Sequence, residues 1–158
     1  MKKDKIKYSR EKALNSLYKY CSYQERCCQE VIGKLVEWGF GKDDEEKLID
    51  QMIRENYLNE ERYASAYVRG KFNIKKWGTQ KIIFGLKQKD IPDNIIQTAL
   101  SEIPQDEYEA TLVKLIKAKA KTILASDIFI KKTKIARYMI GKGFNSERVW
   151  EVINSEFR

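Results

Sequence analysis

Apolar residues recur along this chain in a pattern that occurs three times. Three short segments carry it: LVEWGF at 35–40, LKQKDI at 86–91 and MIGKGF at 139–144. In each segment an apolar residue is followed five positions later by another, and the position before the second one holds Gly39, Asp90 or Gly143. Glycine and, less easily, aspartate adopt the left-handed backbone conformation that ends many helices. Each segment therefore predicts the end of a helix, with its last residue folded back over that end.

The match continues on both sides of these segments. Before them, apolar pairs at equal offsets predict one helix face: Val31 and Ile32, Ile82 and Ile83, Ile135 and Ala136. After them, apolar trios predict another helix: Ile49, Met52 and Ile53, then Ile96, Ala99 and Leu100, then Val149, Val152 and Ile153. The first trio stands one helical turn later than the other two, which we attribute to extra residues near GKDD.

A further helix is predicted ahead of each such pair of helices. The apolar stripes of these helices contain Ala13, Leu14, Leu17, Tyr18 and Cys21; Tyr63, Ala66, Tyr67 and Gly70; Leu112, Leu115, Ile116, Ala120, Ile123 and Leu124. SYQE at 22–25 has the spacing of a capping box, and Asn59 and Thr79 are candidates to cap later helices. Pro92 and Asn145 are expected to open the third helices of their repeats.

The sequence therefore predicts an all-α fold of three tandem three-helix repeats, forming an elongated, curved array. We place the repeats at residues 1–58, 59–103 and 104–158. Because a unit of about 50 residues buries little apolar surface alone, stacking between neighbouring repeats must add stability.

Composition narrows the chemistry that the chain can perform. The chain has 158 residues, three cysteines and no histidine. The lack of histidine excludes Ser-His-Asp and Cys-His nucleophiles, and three cysteines, two of them adjacent, make a poor disulfide framework or zinc site. The sequence contains no glycine-rich phosphate loop, so we expect neither an enzyme nor a cofactor. No apolar run reaches membrane-spanning length and none follows the basic N-terminus, so a cytoplasmic protein is expected.

The distribution of charge along the chain indicates which kind of partner the protein binds. The net charge is +8, and two blocks carry it: residues 61–91 hold eight basic and two acidic residues, and residues 114–142 hold nine and one. Such blocks favour an anionic partner, either nucleic acid or an acidic protein surface. The candidate contact residues are Arg69, Lys71, Lys75, Lys76, Lys81, Lys87, Lys114, Lys117, Lys121, Lys131, Lys132, Lys134 and Arg137.

Other interpretations of these residues stay open. Each basic block is also compatible with a merely solvated helix face. The Lys-rich stretch LVKLIKAKAKTIL (112–124) resembles a membrane-surface helix, but both faces of this helix are needed to pack a repeat. Trp77 is expected to pack at the turn between two helices, with an exposed contact as the alternative, and Tyr63 and Tyr67 are expected to lie in the core.

Two longer motifs in the middle of the chain resemble a known family. NYLNEERYA at 56–64 is similar to the GYLDDERYA type of segment in RecX proteins, and GTQKIIFGLKQKDI at 78–91 is similar to a following segment of the type G-x-x-[KR]-I-x-x-x-L-x-x-K-G-I. Asn56 and Asp90 stand where the family usually has glycine, and both residue types tolerate the left-handed conformation. The closing MIGKGFNSERVWEVI (139–153) also fits, so the resemblance spans residues 11–156.

The resemblance implies a function that composition does not show. RecX proteins bind the RecA recombinase, lodge in the groove of its filament on DNA, and restrain its ATPase and strand-exchange activities in recombination, DNA repair and the SOS response. They are not enzymes, and several bind DNA weakly. We therefore expect a monomeric regulator whose partner is the RecA filament. The alternatives are a sequence-nonspecific DNA-binding protein that acts without a recombinase, and a helical scaffold for an unrelated protein.

Overall fold

The computed structural model describes residues 7–158 and contains nine α-helices, and no strand, within them. The helices are α1 (Arg10–Tyr23), α2 (Cys28–Glu37), α3 (Lys42–Arg54), α4 (Glu60–Asn73), α5 (Thr79–Gln88), α6 (Asp93–Leu100), α7 (Gln105–Ala120), α8 (Ile128–Gly141) and α9 (Ser146–Glu156). The predicted all-α fold is confirmed for this part of the chain. Residues 1–6, which belong to the N-terminal segment tested above for a signal sequence, lie outside the described residues.

The helices form three successive triplets, each packed around an apolar core of its own. Buried members of the three cores include Leu17, Leu35 and Met52; Val68, Ile82 and Leu86; Ile116, Met139 and Phe144. These contacts confirm three tandem three-helix repeats, while the predicted residue boundaries between them stay a prediction. The half-buried Tyr108 packs against both the second and the third core, which joins those two repeats into one apolar stack.

The three predicted helix ends are present with one shared geometry. The backbone φ angle is 89° at Gly39, 58° at Asp90 and 99° at Gly143. The following N–H group donates to the carbonyl five residues earlier in every case: Phe40 to Leu35 (3.0 Å), Ile91 to Leu86 (3.2 Å) and Phe144 to Met139 (3.2 Å). This is the Schellman motif, in which a left-handed residue lets the chain reverse over the helix end. We call the three structures the anchor turns, and Leu35, Leu86 and Met139 the anchor residues.

Some predicted helix starts are confirmed and others are wrong. Asn59 and Asn145 cap α4 and α9, and each side-chain oxygen accepts an N–H group three residues later at 3.0 Å; Pro92 directly precedes α6. The capping box at 22–25 is wrong, because Ser22 lies inside α1. Thr79 is the first residue of α5 and its side chain caps nothing; Gly78 holds the cap position.

The start of α2 lies five residues after the predicted one. Cys27 precedes this helix, and the Glu30 carboxylate accepts the Cys27 N–H group at 3.2 Å. Both SYQE and CCQE place glutamate three residues after a potential cap, so the local pattern fits either start. The contacts of Cys27 with the second core select the later one.

The predicted apolar stripes also need correction in four helices. In α2, Val31 is buried but Ile32 is 37% exposed. The buried face of α4 consists of Tyr63, Ala64, Val68 and Phe72, whereas Ala66, Tyr67 and Gly70 are half-buried. Ile123 and Leu124 both lie beyond the end of α7, and Leu124 is 97% exposed. In α3 the core residues are Leu48 and Met52, and Ile53 is 48% exposed. The helix periods were right, but apolar residues outnumber the buried positions, and packing selects among them.

Neighbouring repeats meet at equivalent positions. Gln29 and Gln80 both stand six residues before their anchor residues, near the start of the second helix of a repeat. At the first junction, between repeats one and two, the Gln29 side-chain amide donates to the Gln88 carbonyl at 3.0 Å and to the Asp90 carboxylate at 3.1 Å. At the second junction, between repeats two and three, the Gln80 N–H group donates to the Gly143 carbonyl at 3.0 Å. The start of each of these second helices therefore docks on the anchor turn of the next repeat.

The anchor turn of the first repeat is covered as well, by residues that precede α1. The Tyr8 N–H group donates to the Trp38 carbonyl at 3.0 Å, and the two rings stack at 4.9 Å between centroids. Lys7 lies so close to Gly39 that a Cβ atom there would be 3.4 Å from the Lys7 Cα atom. The chain itself thus occupies the place on this turn that a preceding repeat would take.

Candidate nucleic-acid interface

The second junction is built from backbone groups that approach closely. Besides the Gln80 bond, the Gly78 N–H group donates to the Lys142 carbonyl at 2.8 Å. A Cβ atom added to Gly78 would lie 2.4 Å from the carbonyl carbon of Gly143, and one added to Gly143 would lie 2.6 Å from the Lys81 nitrogen. Only glycine fits at these two positions, so the sequence places glycine on both sides of the contact.

Aromatic rings fix the same junction from the inside. The Tyr108 ring lies between those of Phe72 and Phe144, with centroid distances of 5.7 and 5.4 Å. Its hydroxyl oxygen accepts the Thr79 N–H group at 3.1 Å, which satisfies a free donor at the start of α5. Tyr108 belongs to α7, so one side chain connects the first helix of repeat three to α4, to the start of α5 and to the anchor turn that holds Phe144.

Lysine side chains gather around this fixed point. The Lys71 and Lys81 ammonium groups lie 4.6 and 4.4 Å from the centroid of the Trp77 ring. The Lys142 ammonium donates to the Lys75 carbonyl at 3.0 Å, across the junction. These contacts are within the range of cation–π attraction and charge-assisted hydrogen bonds, so they limit where the ammonium groups can go.

A second ring carries two of these charges on the side of repeat three. The Lys119 and Lys142 ammonium groups lie 4.2 and 5.6 Å from the Tyr138 ring centroid. Lys76, in the loop before Trp77, is exposed and has a φ angle of 57°. We call the following set the junction cluster: Lys71, Lys75, Lys76, Lys81, Lys119, Lys142, Trp77 and Tyr138.

The junction cluster has no counter-charge among residues 7–158. None of its lysines has a carboxylate oxygen within 4.0 Å of its ammonium nitrogen. Lys81 and Lys142 stand at the repeat positions that Glu30 and Lys89 hold at the first junction, where those two side chains form an ion pair at 3.9 Å. The second junction thus has two lysines where the first has an acid and a base. Such an arrangement repels itself and is relieved when an anion binds.

The structure divides the predicted contact residues into four groups. Lys71, Lys75, Lys76 and Lys81 belong to the junction cluster. Arg69 and Lys87 instead face Glu102 and Asp93, each at 3.7 Å, so their charges are partly neutralised. Lys114, Lys117 and Lys121 line a shallow groove along α7, and Lys117 pairs there with Glu156 at 3.5 Å. Lys131, Lys132, Lys134 and Arg137 lie on α8, where the Lys132 ammonium donates to the Asn154 side chain at 3.2 Å.

Sequence reasoning missed three members of the junction cluster: Lys119, Lys142 and Tyr138. A signal for Lys142 was present, because it directly precedes the left-handed residue of an anchor turn, as Lys89 does in repeat two. The contact between that turn and the preceding repeat was not predicted, so the position of Lys142 did not mark it as a candidate contact residue. Trp77 does pack at the helix–helix turn, as expected, and it is half-buried there.

The cysteines and the possible metal ligands provide no further candidate site among the described residues. Burial raises the pKa of Cys21, Cys27 and Cys28 to about 11, which keeps these thiols protonated and unreactive at neutral pH. Within residues 7–158 no three His, Cys, Asp or Glu side chains come together as metal ligands would. In the same range no helix is both long and apolar enough to cross a membrane.

Comparison with known families matches the second and third repeats. The family model described as RecX, second three-helix domain, matches residues 59–100, and the one described as RecX, third three-helix domain, matches residues 106–153. Together the two matches cover more than half of the chain. They include both sides of the second junction and every residue of the junction cluster.

Individual relatives agree with this match. The regulatory protein RecX of Prosthecochloris aestuarii is 28% identical over 144 residues, which cover 90% of this chain and 92% of that protein. The regulatory protein RecX of Bacillus mycoides is 28% identical over 137 residues, which cover 87% of this chain and 51% of that protein. The chain thus spans nearly all of the first relative and about half of the second.

Solved structures show the same fold. The crystal structure of RecX from Lactobacillus salivarius superposes with a TM-score of 0.81 at 29% identity, covering 92% of this chain and 94% of that one. A second crystal structure, of a regulatory protein RecX, has a TM-score of 0.79 at 23% identity and covers 92% of this chain and 74% of that one.

Proposed function

Because the chain belongs to the RecX family of regulatory proteins, we propose that it binds the filament that the RecA recombinase forms on DNA and restrains its ATPase and strand-exchange activities. The match of both RecX domain models to repeats two and three carries this proposal. The junction cluster lies within the matched region, so the family assignment and the uncompensated charge concern the same part of the molecule.

The chemistry of the junction cluster suits a nucleoprotein filament. Lysine ammonium groups without acidic partners attract phosphates, and each contact releases condensed counterions from DNA. Such contacts do not depend on base sequence and weaken as salt rises. The half-buried Trp77 ring lies beside two of these ammonium groups. In this proposal the junction cluster meets the phosphates, and the basic residues of α7 and α8 form a second contact zone.

The test is the DNA-dependent ATPase of the cognate RecA on single-stranded DNA, with the protein titrated in at moderate salt. We expect the ATPase rate to fall at protein concentrations too low to coat the DNA. Binding to naked DNA is measured in parallel. An unchanged rate, or a fall that begins only when the protein saturates the DNA, would contradict the proposal.

Charge reversal assigns the effect to the junction cluster. Replacing Lys75, Lys76 and Lys81 by Glu should raise the concentration needed for half-inhibition by at least tenfold, because three attractive contacts with phosphate become repulsive. Each lost phosphate contact should also lower the salt dependence of binding by about one unit of slope. Replacing Lys19, Lys42 and Lys47 by Glu is the matched control. These three are exposed in repeat one, outside any ion pair of the described residues, and the change in net charge is the same. Equal loss in both variants would mean that only net charge matters.

A second function is favoured by the same clustered cations beside an aromatic ring: sequence-nonspecific binding of DNA without a recombinase. This protein would bind naked duplex or single strands tightly and lose that affinity steeply with salt. A filament regulator should instead prefer DNA already coated by recombinase at the same salt concentration.

A further inference from the structure

The second helix of repeat three begins differently from its counterparts. α2 and α5 each begin seven residues before their anchor residue, whereas α8 begins eleven residues before Met139. The additional turn, 128–131, has no equivalent in the other repeats. Its first three residues are large and apolar, and they remain 53%, 70% and 49% exposed: Ile128, Phe129 and Ile130.

The core of repeat three does not account for this turn. Three consecutive residues of a helix point in directions about 100° apart, so they cannot all face one core. α8 buries Ile135, Ala136 and Met139 further along, which is enough to define its inner face. The turn is nevertheless firmly started, because the Asp127 carboxylate accepts the Phe129 N–H group at 2.7 Å. A run of exposed apolar residues on a well-capped helix is typical of an interaction surface.

The rule by which the repeats stack indicates what this surface meets. The start of α2 docks on the anchor turn of repeat two, and the start of α5 docks on that of repeat three. The position in α8 that corresponds to Gln29 and Gln80 is Thr133, and no following repeat covers it among the described residues. Phe129 and Ile130 lie one helical turn before Thr133 and Lys134, on the same side of the helix. These four residues form what we call the docking face.

The charge around the docking face has one sign. Lys131, Lys132, Lys134 and Arg137 lie beside or on it, and none of the four has a carboxylate within 4.0 Å among residues 7–158. The nearest acid in sequence, Asp127, is occupied by the helix-capping hydrogen bonds. A complementary surface must therefore supply carboxylates as well as apolar side chains.

We propose that the docking face is an interaction surface for a partner protein, which presents an acidic and apolar surface there in place of a following repeat. A protein is favoured over DNA because both equivalent helix starts, those of α2 and α5, dock on protein turns. The proposal rests on the proposed function, since the recombinase in its filament is the partner expected to provide this surface.

The test compares single substitutions on two exposed helix faces. Phe129→Ser and Lys134→Glu change the docking face, and Phe84→Ser is the matched control, because Phe84 is 63% exposed on α5. We expect the first two to weaken binding to the RecA–DNA filament by roughly tenfold or more, as aromatic anchors do at interfaces. The control should not change filament affinity. Naked-DNA affinity should stay unchanged in Phe129→Ser, and circular dichroism should show all three variants folded.

A photocrosslinking residue identifies the occupant. With p-benzoylphenylalanine at position 129, irradiation of the filament complex should link the chain to the recombinase. Crosslinks to DNA, or an equal loss of naked-DNA binding in Phe129→Ser, would assign the face to nucleic acid and overturn the inference. Retention on phosphatidylglycerol vesicles that is lost in Phe129→Ser would assign it to lipid, with the same consequence.

The remaining outcomes separate the two proposals. If the wild-type protein binds the filament and the docking-face variants bind equally well, the inference fails while the proposed function stands. If the wild-type protein does not bind the filament at all, both fail.

Discussion

The first and second junctions use the same positions of the repeat but different chemistry. At the first, side chains reach across: Gln29 binds the Asp90 carboxylate, and Lys89 pairs with Glu30. At the second, the backbone groups of Gly78 and Gln80 bind the facing turn directly. At the first contact Gln29 and Asp90 are exposed, the Lys89–Glu30 pair is half-buried, and Cys27 alone among the described residues of repeat one reaches the second core. The second contact is closed by two glycines and an aromatic stack.

This difference indicates that the two junctions contribute unequally to the stability of the array. Exposed polar contacts contribute little to stability and weaken in salt, because water competes for each group. Backbone bonds beside a packed aromatic cluster are shielded from that competition. Repeats two and three should therefore behave as one rigid unit, and repeat one should separate from it more easily. The rigid unit is the part that carries the junction cluster.

Among the substitutions that test this difference between the junctions, Gly78→Ala should have the largest effect on stability. The φ angle of Gly78 is −76°, which alanine adopts freely, so the cost comes from the added Cβ atom, 2.4 Å from backbone atoms of repeat three. We expect the free energy of unfolding to fall by about 3 kcal/mol, measured by urea denaturation. Gly41→Ala is the matched control, because Gly41 also precedes a helix and a Cβ atom there meets nothing within 4 Å. Equal losses in both variants would mean that the glycine contact does not hold the repeats together.

The aromatic stack should give the next largest effect. Tyr108→Ala removes the ring between Phe72 and Phe144 and should lower the free energy of unfolding by about 2–3 kcal/mol. Tyr108→Phe removes only the hydroxyl that accepts the Thr79 N–H group and should cost about 1 kcal/mol. Thermal and urea unfolding measure both. A stability for Tyr108→Phe below that of Tyr108→Ala would refute this assignment of the ring.

At the first junction the most important single side chain should be Arg62. Its guanidinium donates to the Glu25 carboxylate at 3.1 Å and to the side chain and carbonyl of Asn56, both at 2.8 Å. Arg62→Ala should cost about 1–2 kcal/mol in urea unfolding, because one Glu25 oxygen is already buried without a partner. Arg69→Ala, which breaks one exposed pair with Glu102, should cost less than 1 kcal/mol. The reverse order would show that the first junction is not held by Arg62.

The smallest effect concerns the cysteines at the first junction. Because the folded-state pKa of Cys28 is raised to about 11, its thiol is protonated at pH 8 and should react with iodoacetamide on the order of a hundredfold more slowly than an ordinary thiol. Raising the pH towards 11 should speed the reaction. Gln29→Ala should increase the rate at pH 8 about threefold by loosening the junction, as followed by mass spectrometry. Gly78→Ala should leave this rate unchanged, and an increase there would show that the two junctions open together.

The nine helices found in residues 7–158 and the three anchor turns were predictable because each depends on nearby residues. Leu35, Leu86 and Met139 stand in one local pattern, and the left-handed conformation at Gly39, Asp90 and Gly143 follows from residue type and position. Errors arose where the local pattern allowed two answers. Ser22 and Cys27 both precede a glutamate by three residues, and only the packing of Cys27 on the second core decides between them.

The junctions could not be predicted in the same way. Gly78 and Gly143 are 65 positions apart, and no local period relates them. Their contact depends on how two repeats stack, which is also why Lys142 and Lys119 were absent from the predicted contact residues. The predicted basic block around Lys75 and Lys81 contributes four lysines to the junction cluster. Its partners across the junction became visible only in the folded molecule, and whether the cluster binds the filament stays a prediction.

The position of Trp77 between two ammonium groups makes the junction cluster observable in solution. Lys71 and Lys81 each lie within 5 Å of this indole ring, and the field of nearby charges shifts indole fluorescence. An anion that draws either ammonium group away should therefore change the emission of Trp77. Trp38 is stacked on Tyr8 in repeat one, far along the chain from the cluster, and the half-buried Trp150 packs against the core of repeat three. A chain that keeps Trp77, with Phe at the other two positions, would report the arrival of its partner without any attached dye.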